Sequence, residues 1–300
     1  MSDPANHRIG GVITAMATVF DDRGEIDTAA TAALARYLVD NGSHGVVVSG
    51  TTGESPTLDD KEKLDLLAAV LDEVGDEALV IAGTGSNDTR HTIHLTADSV
   101  KLGAHAVLVV TPYYNKPNRA GVHAHYLAAA EAAGEVPVIV YNIPARCVVN
   151  VSPEEIAELA EAADNIVAVK QANNDEIGPI EGVDVLAGND EAFLPTLEAG
   201  GTGGILVASH LAGPEMRGIY DDFFAGNRDV ARETDRRLQP LYAAMGVTVN
   251  PIPIKAALGM TGIIGNTTMR LPMVDATAEE RQVIADALAA AGVEPRGAVS

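Results

Sequence analysis

Val-Pro-Val-Ile-Val-Tyr (136–141) and Ile-Val-Ala-Val-Lys (166–170) are short apolar runs, and each ends in a polar side chain. Near-continuous apolar runs of this length are typical of parallel strands that are buried on both faces of a sheet. With these two, the chain contains eight such runs, at 12–18, 45–49, 79–82, 106–110, 136–141, 166–170, 183–187 and 204–208. The sequence therefore predicts eight parallel β-strands.

The segments between these runs carry signals for helices. Ser152-Pro-Glu-Glu155 combines a capping serine, a proline at the first helical position and a glutamate that can reach back to the cap. Thr57-Leu-Asp-Asp60 is interpreted as another N-cap motif. Strands that alternate with helices favour a closed (β/α)8 barrel, the TIM barrel of the α/β class, over a doubly wound sheet. Periodicity alone leaves the open sheet as an alternative.

The chain is longer than a barrel requires. It has 300 residues, whereas a TIM barrel typically needs about 250. We assign residues 1–226 to a catalytic barrel, with 212–225 as its last helix, and residues 227–300 to a C-terminal helical domain. Thr277-Ala-Glu-Glu280 is a capping box for a helix that runs to about Ala291. The prediction is a three-helix appendage over 227–293, packed on the barrel, with a tail that ends at Ser300.

Composition and charge narrow the range of partners. A formal charge of −22 argues against nucleic acid, whose partners carry clusters of Lys and Arg. No apolar run reaches the roughly 18–20 residues of a membrane span, and Met1 to Arg8 lacks the apolar stretch of a signal peptide. The single cysteine, Cys147, suits a reducing compartment. We expect a cytoplasmic protein with no nucleic-acid or membrane partner.

The ends of the predicted strands hold the candidate site. In TIM-barrel enzymes the active site lies at the carboxyl ends of the strands. Four strands end in segments with useful chemistry, which are Gly50-Thr-Thr-Gly-Glu54, Thr111-Pro-Tyr-Tyr114, Tyr141-Asn-Ile-Pro-Ala-Arg146 and Lys170.

Lys170 is the most informative of these residues. It follows Ile-Val-Ala-Val, so its amine starts from a buried strand and is expected to point into the mouth of the barrel. Burial disfavours the charged form of an amine and favours the neutral nucleophile that imine formation requires. A lysine at a strand end can also simply extend to solvent. Lys170 alone does not decide between the two.

Its expected neighbours favour imine chemistry. Tyr141 ends the adjacent strand and can transfer protons. Thr51 and Thr52 offer hydroxyls and backbone N–H groups in a glycine-flanked turn, which suits a carboxylate. Arg146 presents a planar fork for a second carboxylate. Each has a structural alternative, as a capping aromatic, a turn or a surface residue, but their combination favours imine chemistry at a site that binds carboxylates.

The motifs resemble those of the dihydrodipicolinate synthase / N-acetylneuraminate lyase family. The matching segments are Val-Ser-Gly-Thr-Thr-Gly-Glu-Ser (48–55), Val-Thr-Pro-Tyr-Tyr-Asn-Lys-Pro (110–117), Tyr-Asn-Ile-Pro-Ala-Arg (141–146) and Val-Ala-Val-Lys (167–170). Asn250-Pro-Ile-Pro-Ile-Lys255 and Leu271-Pro-Met resemble the synthase branch. The resemblance extends from about Gly11 to Val293.

The resemblance implies a role for each matching residue. Lys170 matches the lysine that forms the imine with pyruvate, and Tyr141 matches the general acid/base. Thr51 matches a proton-relay partner, as does Tyr114, which is expected to reach in from a neighbouring subunit. The substrate-binding positions are then Thr52 and Ile205 at the pyruvate site, Arg146 at the aldehyde carboxylate, and Gly188 and Asn142.

The resemblance also implies a reaction. The synthase condenses pyruvate with L-aspartate 4-semialdehyde to 4-hydroxy-tetrahydrodipicolinate, a step toward lysine and diaminopimelate. No metal or organic cofactor is expected, because the imine itself accepts the electrons. The expected assembly is a homotetramer, a dimer of dimers.

Two alternatives remain open from the sequence. Another pyruvate-dependent aldolase, such as a 2-keto-3-deoxy-sugar-acid aldolase or N-acetylneuraminate lyase, requires groups that bind hydroxyls near the seventh strand, where Gly188-Asn-Asp-Glu191 offers some polarity. A non-catalytic barrel that binds 2-oxo acids is the alternative from another class, although it has no need for both Lys170 and Tyr141.

The resemblance further predicts weak inhibition by lysine. In sensitive family members the effector lies near positions that match Ser55, Asn87 and Tyr113. The position that supplies a carboxylate for the α-amino group of lysine matches His91 here, which is not an anion. Lys63 stands nearby and would repel the effector's ammonium group.

Overall fold

A computed structural model describes residues 9–293 of the chain. Its eight parallel strands form a closed barrel in which each strand pairs with the next and β8 pairs with β1. The predicted TIM barrel is confirmed, and the open sheet is excluded. The strands are β1 Gly11–Ala15, β2 Gly45–Val48, β3 Leu79–Gly83, β4 Ala106–Val110, β5 Val138–Asn142, β6 Ile166–Gln171, β7 Asp184–Ala187 and β8 Gly203–Leu206.

Helices follow the strands and surround the barrel. They are α1 Thr28–Asp40, α2 Asp60–Val74, α3 Thr89–Leu102, α4 Arg119–Ala133, α5 Pro144–Cys147, α6 Pro153–Ala162, α7 Phe193–Glu198, α8 Ser209–Ala225, α9 Arg228–Ala244, α10 Ile252–Met260 and α11 Ala278–Ala291. The last three are the predicted C-terminal helices. Segments 1–8 and 294–300, which include the expected polar N-terminus and the tail, lie outside the described residues.

The capping motifs explain where several helices begin. The side chains of Ser152 and Thr277 each accept a hydrogen bond from the backbone of the glutamate three residues later, as predicted. In the motif 57–60 the cap is Asp59, which forms a capping box with Glu62. Thr57 is not the cap, because its hydroxyl donates to the carbonyl oxygen of Glu54 instead.

Apolar side chains fill the barrel, so a ligand can approach only from one end. Ile13, Val47, Ile81, Ile139 and Ile205 are buried together in the interior. Closure also requires a glycine at the start of β8, because a Cβ atom on Gly203 would overlap the carbonyl oxygen of Gly11 on β1. The active site is therefore confined to the mouth formed by the carboxyl ends of the strands.

The C-terminal helices pack against the barrel and against one another. α9 contacts α8 and α11, and α10 contacts both α8 and α11. The segment that leads into α10 approaches the mouth of the barrel, where Asn250 contacts residues that follow β2 and β5. Within residues 9–293, no helix is long and apolar enough to cross a membrane.

Candidate active site

A cavity of about 400 Å³ opens at the carboxyl ends of the strands. Its walls come from the segments that follow β2, β3, β4 and β5. The lining residues include Thr51, Lys63, His91, Tyr113, Tyr141, Arg146 and Cys147. Three of the predicted site residues, Thr51, Tyr141 and Arg146, thus face a common space.

Lys170 and Tyr141 lie side by side at this end of the barrel. They are register partners on β6 and β5, and each is 5% exposed. The Nζ atom of Lys170 lies 4.4 Å from the centroid of the Tyr141 ring. The alternative in which Lys170 extends to solvent is wrong, because the amine is buried against the phenol.

The turn after β2 supplies the two threonines. Thr51 lines the cavity, whereas Thr52 is buried and its Oγ1 accepts a hydrogen bond of 3.0 Å from Nδ2 of Asn250. Ser49 and Glu54, at either end of the turn, have positive φ angles of 55° and 58°. These two left-handed residues bend the chain so that it reverses over a few residues at the rim of the barrel.

Arg146 lies on the short helix α5, which begins at Pro144. Its guanidinium lines the cavity, and Nη2 donates a hydrogen bond of 3.2 Å to the carbonyl oxygen of Asn250. Burial raises the pKa of the adjacent Cys147 thiol to about 11, so this thiol is not poised as a nucleophile. Arg146 is the cation that this side of the cavity offers to an anionic substrate.

Ile205 and Gly188 occupy the opposite side of the barrel. Ile205 is fully buried on β8 among the interior side chains. Gly188 follows β7, and its N–H donates to the carbonyl oxygen of Gln171 at 2.7 Å. A Cβ atom on Gly188 would lie 2.7 Å from Cβ of Ala172, so only glycine allows the two segments to approach this closely.

Six of the predicted site residues do not line this cavity, which are Lys170, Thr52, Ile205, Gly188, Asn142 and Tyr114. The buried side chain of Asn142 bonds to Gln171, Asn150 and the backbone N–H of Val151. Successive residues on a strand face opposite sides, so Asn142 points away from the side that Tyr141 faces. Tyr114 is 87% exposed with a φ of 68°, and its neighbour Tyr113 lines the cavity instead.

Of the residues that the family resemblance links to lysine inhibition, Ser55, Lys63, His91 and Tyr113 line the cavity. Nε2 of His91 is 2.7 Å from a carboxylate oxygen of Asp60, and its Nδ1 is 3.2 Å from the Ser86 hydroxyl. Lys63 lines the same cavity, and burial lowers its pKa. Asp60 is already paired with His91, which leaves it less able to receive a further ammonium group.

Comparisons with known proteins agree with this geometry. Residues 8–291 match the model of the dihydrodipicolinate synthetase family. A 4-hydroxy-tetrahydrodipicolinate synthase from Symbiobacterium thermophilum is 44% identical over 291 residues, which cover 95% of this chain and 98% of the relative. Another protein with the same name, from Synechococcus elongatus, is 43% identical over 298 residues, which cover 97% of this chain and 99% of that one.

A solved structure leads to the same comparison. Dihydrodipicolinate synthase from Cyanidioschyzon merolae, solved with lysine bound, is 40% identical and superposes with a TM-score of 0.91. The match covers 96% of this chain and all of that one.

Sequence reasoning missed one buried acid beside the site. Asp190 follows β7 and is 7% exposed, and its carboxylate accepts hydrogen bonds from the backbone N–H groups of Val207 and Ala208 after β8. Burial raises its pKa to about 6, although these hydrogen bonds and the charge of Lys170 act in the opposite direction. The segment 188–191 was noted for its polarity, but only the fold shows that Asp190 joins two strand ends.

The raised pKa of Asp190 predicts a pH-dependent stability. Because the folded state binds this proton more tightly than the unfolded chain, stability should fall as pH rises from about 4 to 6. In Asp190→Asn this contribution is absent. Chemical denaturation between about pH 4 and 6 should show that, as pH rises, the free energy of unfolding of the wild type falls by up to about 3 kcal/mol relative to that of the variant. Asp72→Asn, at an exposed acid, is the control. A difference in the free energy of unfolding between wild type and Asp190→Asn that stays constant with pH would contradict the raised pKa of Asp190.

Proposed function

The chain belongs to the dihydrodipicolinate synthetase family, and on this premise we propose that it condenses pyruvate with L-aspartate 4-semialdehyde to 4-hydroxy-tetrahydrodipicolinate. The reaction is a step of lysine and diaminopimelate biosynthesis, and the enzyme is a lyase. The observation that carries the proposal is the buried amine of Lys170, placed 4.4 Å from the centre of the Tyr141 ring at the mouth of the barrel.

The proposed chemistry begins with imine formation. The neutral amine of Lys170 attacks the 2-oxo carbon of pyruvate, and the resulting carbinolamine loses water to give the imine. The imine withdraws electrons from the methyl carbon, which loses a proton and becomes a nucleophilic enamine. That carbon attacks the aldehyde carbon of the second substrate, whose oxygen takes up a proton. The amino group of this substrate then attacks the imine carbon, which closes the ring and releases the amine of Lys170. No metal or organic cofactor enters these steps, because the imine accepts the electron pair.

The surrounding residues take the remaining roles in the proposal. Tyr141 gives and takes protons as the carbinolamine forms and breaks down, with Thr51 as its relay partner. The turn at Thr52 and the side chain of Ile205 form the walls of the pyruvate site. Arg146 holds the carboxylate of the aldehyde through charge-assisted hydrogen bonds. Gly188 allows the segments that follow β6 and β7 to approach each other closely, and Asn142 acts through its contacts on the outer face of the barrel.

The exposure of Tyr114 supports a shared active site. Tyr114 is 87% exposed, so its ring and hydroxyl are accessible to a neighbouring subunit. We infer that it enters the cavity of a second subunit and joins the proton relay there. The assembly is then a homotetramer built as a dimer of dimers, with closed symmetry. The single buried cysteine, Cys147, agrees with a cytoplasmic location.

We propose aspartate semialdehyde, rather than a sugar aldehyde, as the second substrate. The relatives compared above carry the synthase name. Near β7, the polar side chains Asn189 and Glu191 are bonded to Asn174, so the segment that a polyhydroxylated substrate would need is occupied. An assay of pyruvate consumption with the semialdehyde and with sugar aldehydes distinguishes the synthase from another pyruvate aldolase.

Borohydride should trap pyruvate on Lys170. Reduction converts the imine into a stable secondary amine, which mass spectrometry of peptides locates. Lys170→Arg should lose the adduct and at least about a thousandfold in activity, because a guanidinium stays protonated and is not a nucleophile. Lys61→Arg, at a side chain that is 82% exposed, is the matched control and should keep both. An adduct on Lys255, or none at all, would contradict the mechanism.

Hybrid assemblies test the shared site. Tyr114→Phe lacks the relay hydroxyl and Lys170→Ala lacks the nucleophile, so each protein alone should be inactive. After subunit exchange, some sites combine an intact Lys170 from one chain with an intact Tyr114 from the other. We expect partial activity in hybrids that native mass spectrometry has verified. Verified hybrids without activity would place Tyr114 outside the neighbouring site.

L-Lysine should inhibit weakly. His91 stands where a carboxylate is required, and Asp60 is paired with it, so the α-amino group of lysine lacks an anionic partner. Steady-state rates across a lysine titration should give half-inhibition above about 1 mM. His91→Glu supplies the missing carboxylate and should lower that concentration. Strong inhibition of the wild type in the micromolar range would disprove this interpretation.

A further inference from the structure

A buried ion pair connects the turn after β2 to the C-terminal helices. Nζ of Lys255 lies 2.8 Å from Oε1 of Glu54, and the two side chains are 0% and 2% exposed. The second carboxylate oxygen of Glu54 accepts from the backbone N–H of Arg270 at 3.0 Å. Lys255 also donates to the carbonyl oxygen of Thr268 at 2.6 Å and lies 4.6 Å from the centre of the Phe20 ring. Both charges are therefore enclosed and bonded on more than one side.

The acid of this pair belongs to the turn that carries Thr51 and Thr52. The N–H of Glu54 donates to the carbonyl oxygen of Thr51 at 3.1 Å, which closes the turn on itself. The left-handed backbone of Glu54 lets its side chain leave the turn toward α10 while Thr51 faces the cavity. Thr51 and Thr52 thus lie in the same closed turn as Glu54, within three residues of it.

The base of the pair belongs to a segment that holds the same turn at a second point. Lys255 lies in the first turns of α10, where its N–H donates to the carbonyl oxygen of Pro251. One residue before Pro251, Nδ2 of Asn250 donates a hydrogen bond of 3.0 Å to Oγ1 of Thr52. The segment 250–255 thus contacts the turn 51–54 at two points, through the hydrogen bond of the Asn250 side-chain amide and through the ion pair of Lys255.

A buried ion pair is an inefficient source of stability. The loss of hydration of two charges offsets much of their attraction, and a well-packed apolar pair of similar size is often as stable. What the charged pair adds is a defined distance and direction between its partners. We propose, on the basis of the function proposed above, that Glu54 and Lys255 are positioning residues which hold the Thr51–Thr52 turn at the geometry required to bind pyruvate.

The test replaces both charges with neutral side chains of similar length. Glu54→Gln/Lys255→Met leaves no unpaired buried charge, so the double variant should melt cooperatively. The pyruvate concentration for half-maximal borohydride trapping on Lys170 should rise about tenfold, since small displacements of binding groups carry large kinetic costs. At saturating pyruvate, the KM for the aldehyde should change little, because Arg146 is held by the carbonyl of Asn250 rather than by Glu54.

A matched control makes equivalent charge-removing substitutions at an exposed pair. Glu233 and Arg236 form an ion pair on α9 with side chains that are 66% and 72% exposed. Glu233→Gln/Arg236→Met should keep the wild-type pyruvate dependence. A purely structural role for Glu54 and Lys255 would lower the melting temperature of the buried variant without changing half-saturation measured well below that temperature. That result, or a variant identical to wild type in both properties, overturns the proposal.

Two further outcomes are separated in the same experiment. If the double variant does not fold, Glu54→Asp replaces it, because aspartate keeps the charge and withdraws the carboxylate by one methylene. Folded Glu54→Asp should also need more pyruvate, and wild-type half-saturation in it overturns the proposal equally. If wild type itself traps no pyruvate, the imine mechanism fails, and this failure is distinguishable from an effect of the ion pair.

Discussion

The pairing of β8 with β1 is the constraint on which the site depends. When the eighth strand bonds to the first, all eight carboxyl ends are brought to one rim, and residues far apart in the chain face a single cavity. The pairing is possible because Gly203 lets the two backbones approach more closely than a side chain at this position would allow. Because apolar side chains fill the interior, the polar groups that face the mouth find their partners at the rim rather than inside the barrel.

Enclosure at this rim gives several polar groups a specific partner. The amine of Lys170 meets the ring of Tyr141, and the carboxylate of Asp190 receives two backbone N–H groups from the segment after β8. Glu54 and Lys255 neutralise each other. Since a buried polar group without a partner costs free energy, these contacts restrict the rim to few arrangements. A restricted rim keeps its binding groups in place before the substrate arrives.

The apolar runs were sufficient to predict the strands, because parallel strands that are buried on both faces leave a local signal. The predicted strand ends differ from the observed ones by a few residues. The predicted strand 12–18, for example, is β1 Gly11–Ala15, because hydrophobicity along the chain does not show where the hydrogen bonds between strands end. Side chains alternate along β5, so Asn142 faces away from Tyr141, whereas the motif match favoured a substrate role for it. Asp190 had no such signal, because its partners lie 17 and 18 residues away and are backbone groups.

The contacts of Asn250 link the two sides of the predicted boundary between the barrel, residues 1–226, and the C-terminal helices. Gly226 ends α8 in a left-handed conformation, and α9 begins two residues later, so the boundary is a natural break in the chain. The segment beyond it nevertheless reaches back to the mouth, where Asn250 bonds to both Thr52 and Arg146. These two residues are proposed to bind different substrates, and one residue spans the space between them. A barrel without its appendage would retain Lys170 and Tyr141 but would lose the contacts that set the distance between the two carboxylate-binding groups. The appendage is therefore better regarded as one wall of the active site than as a separate functional unit.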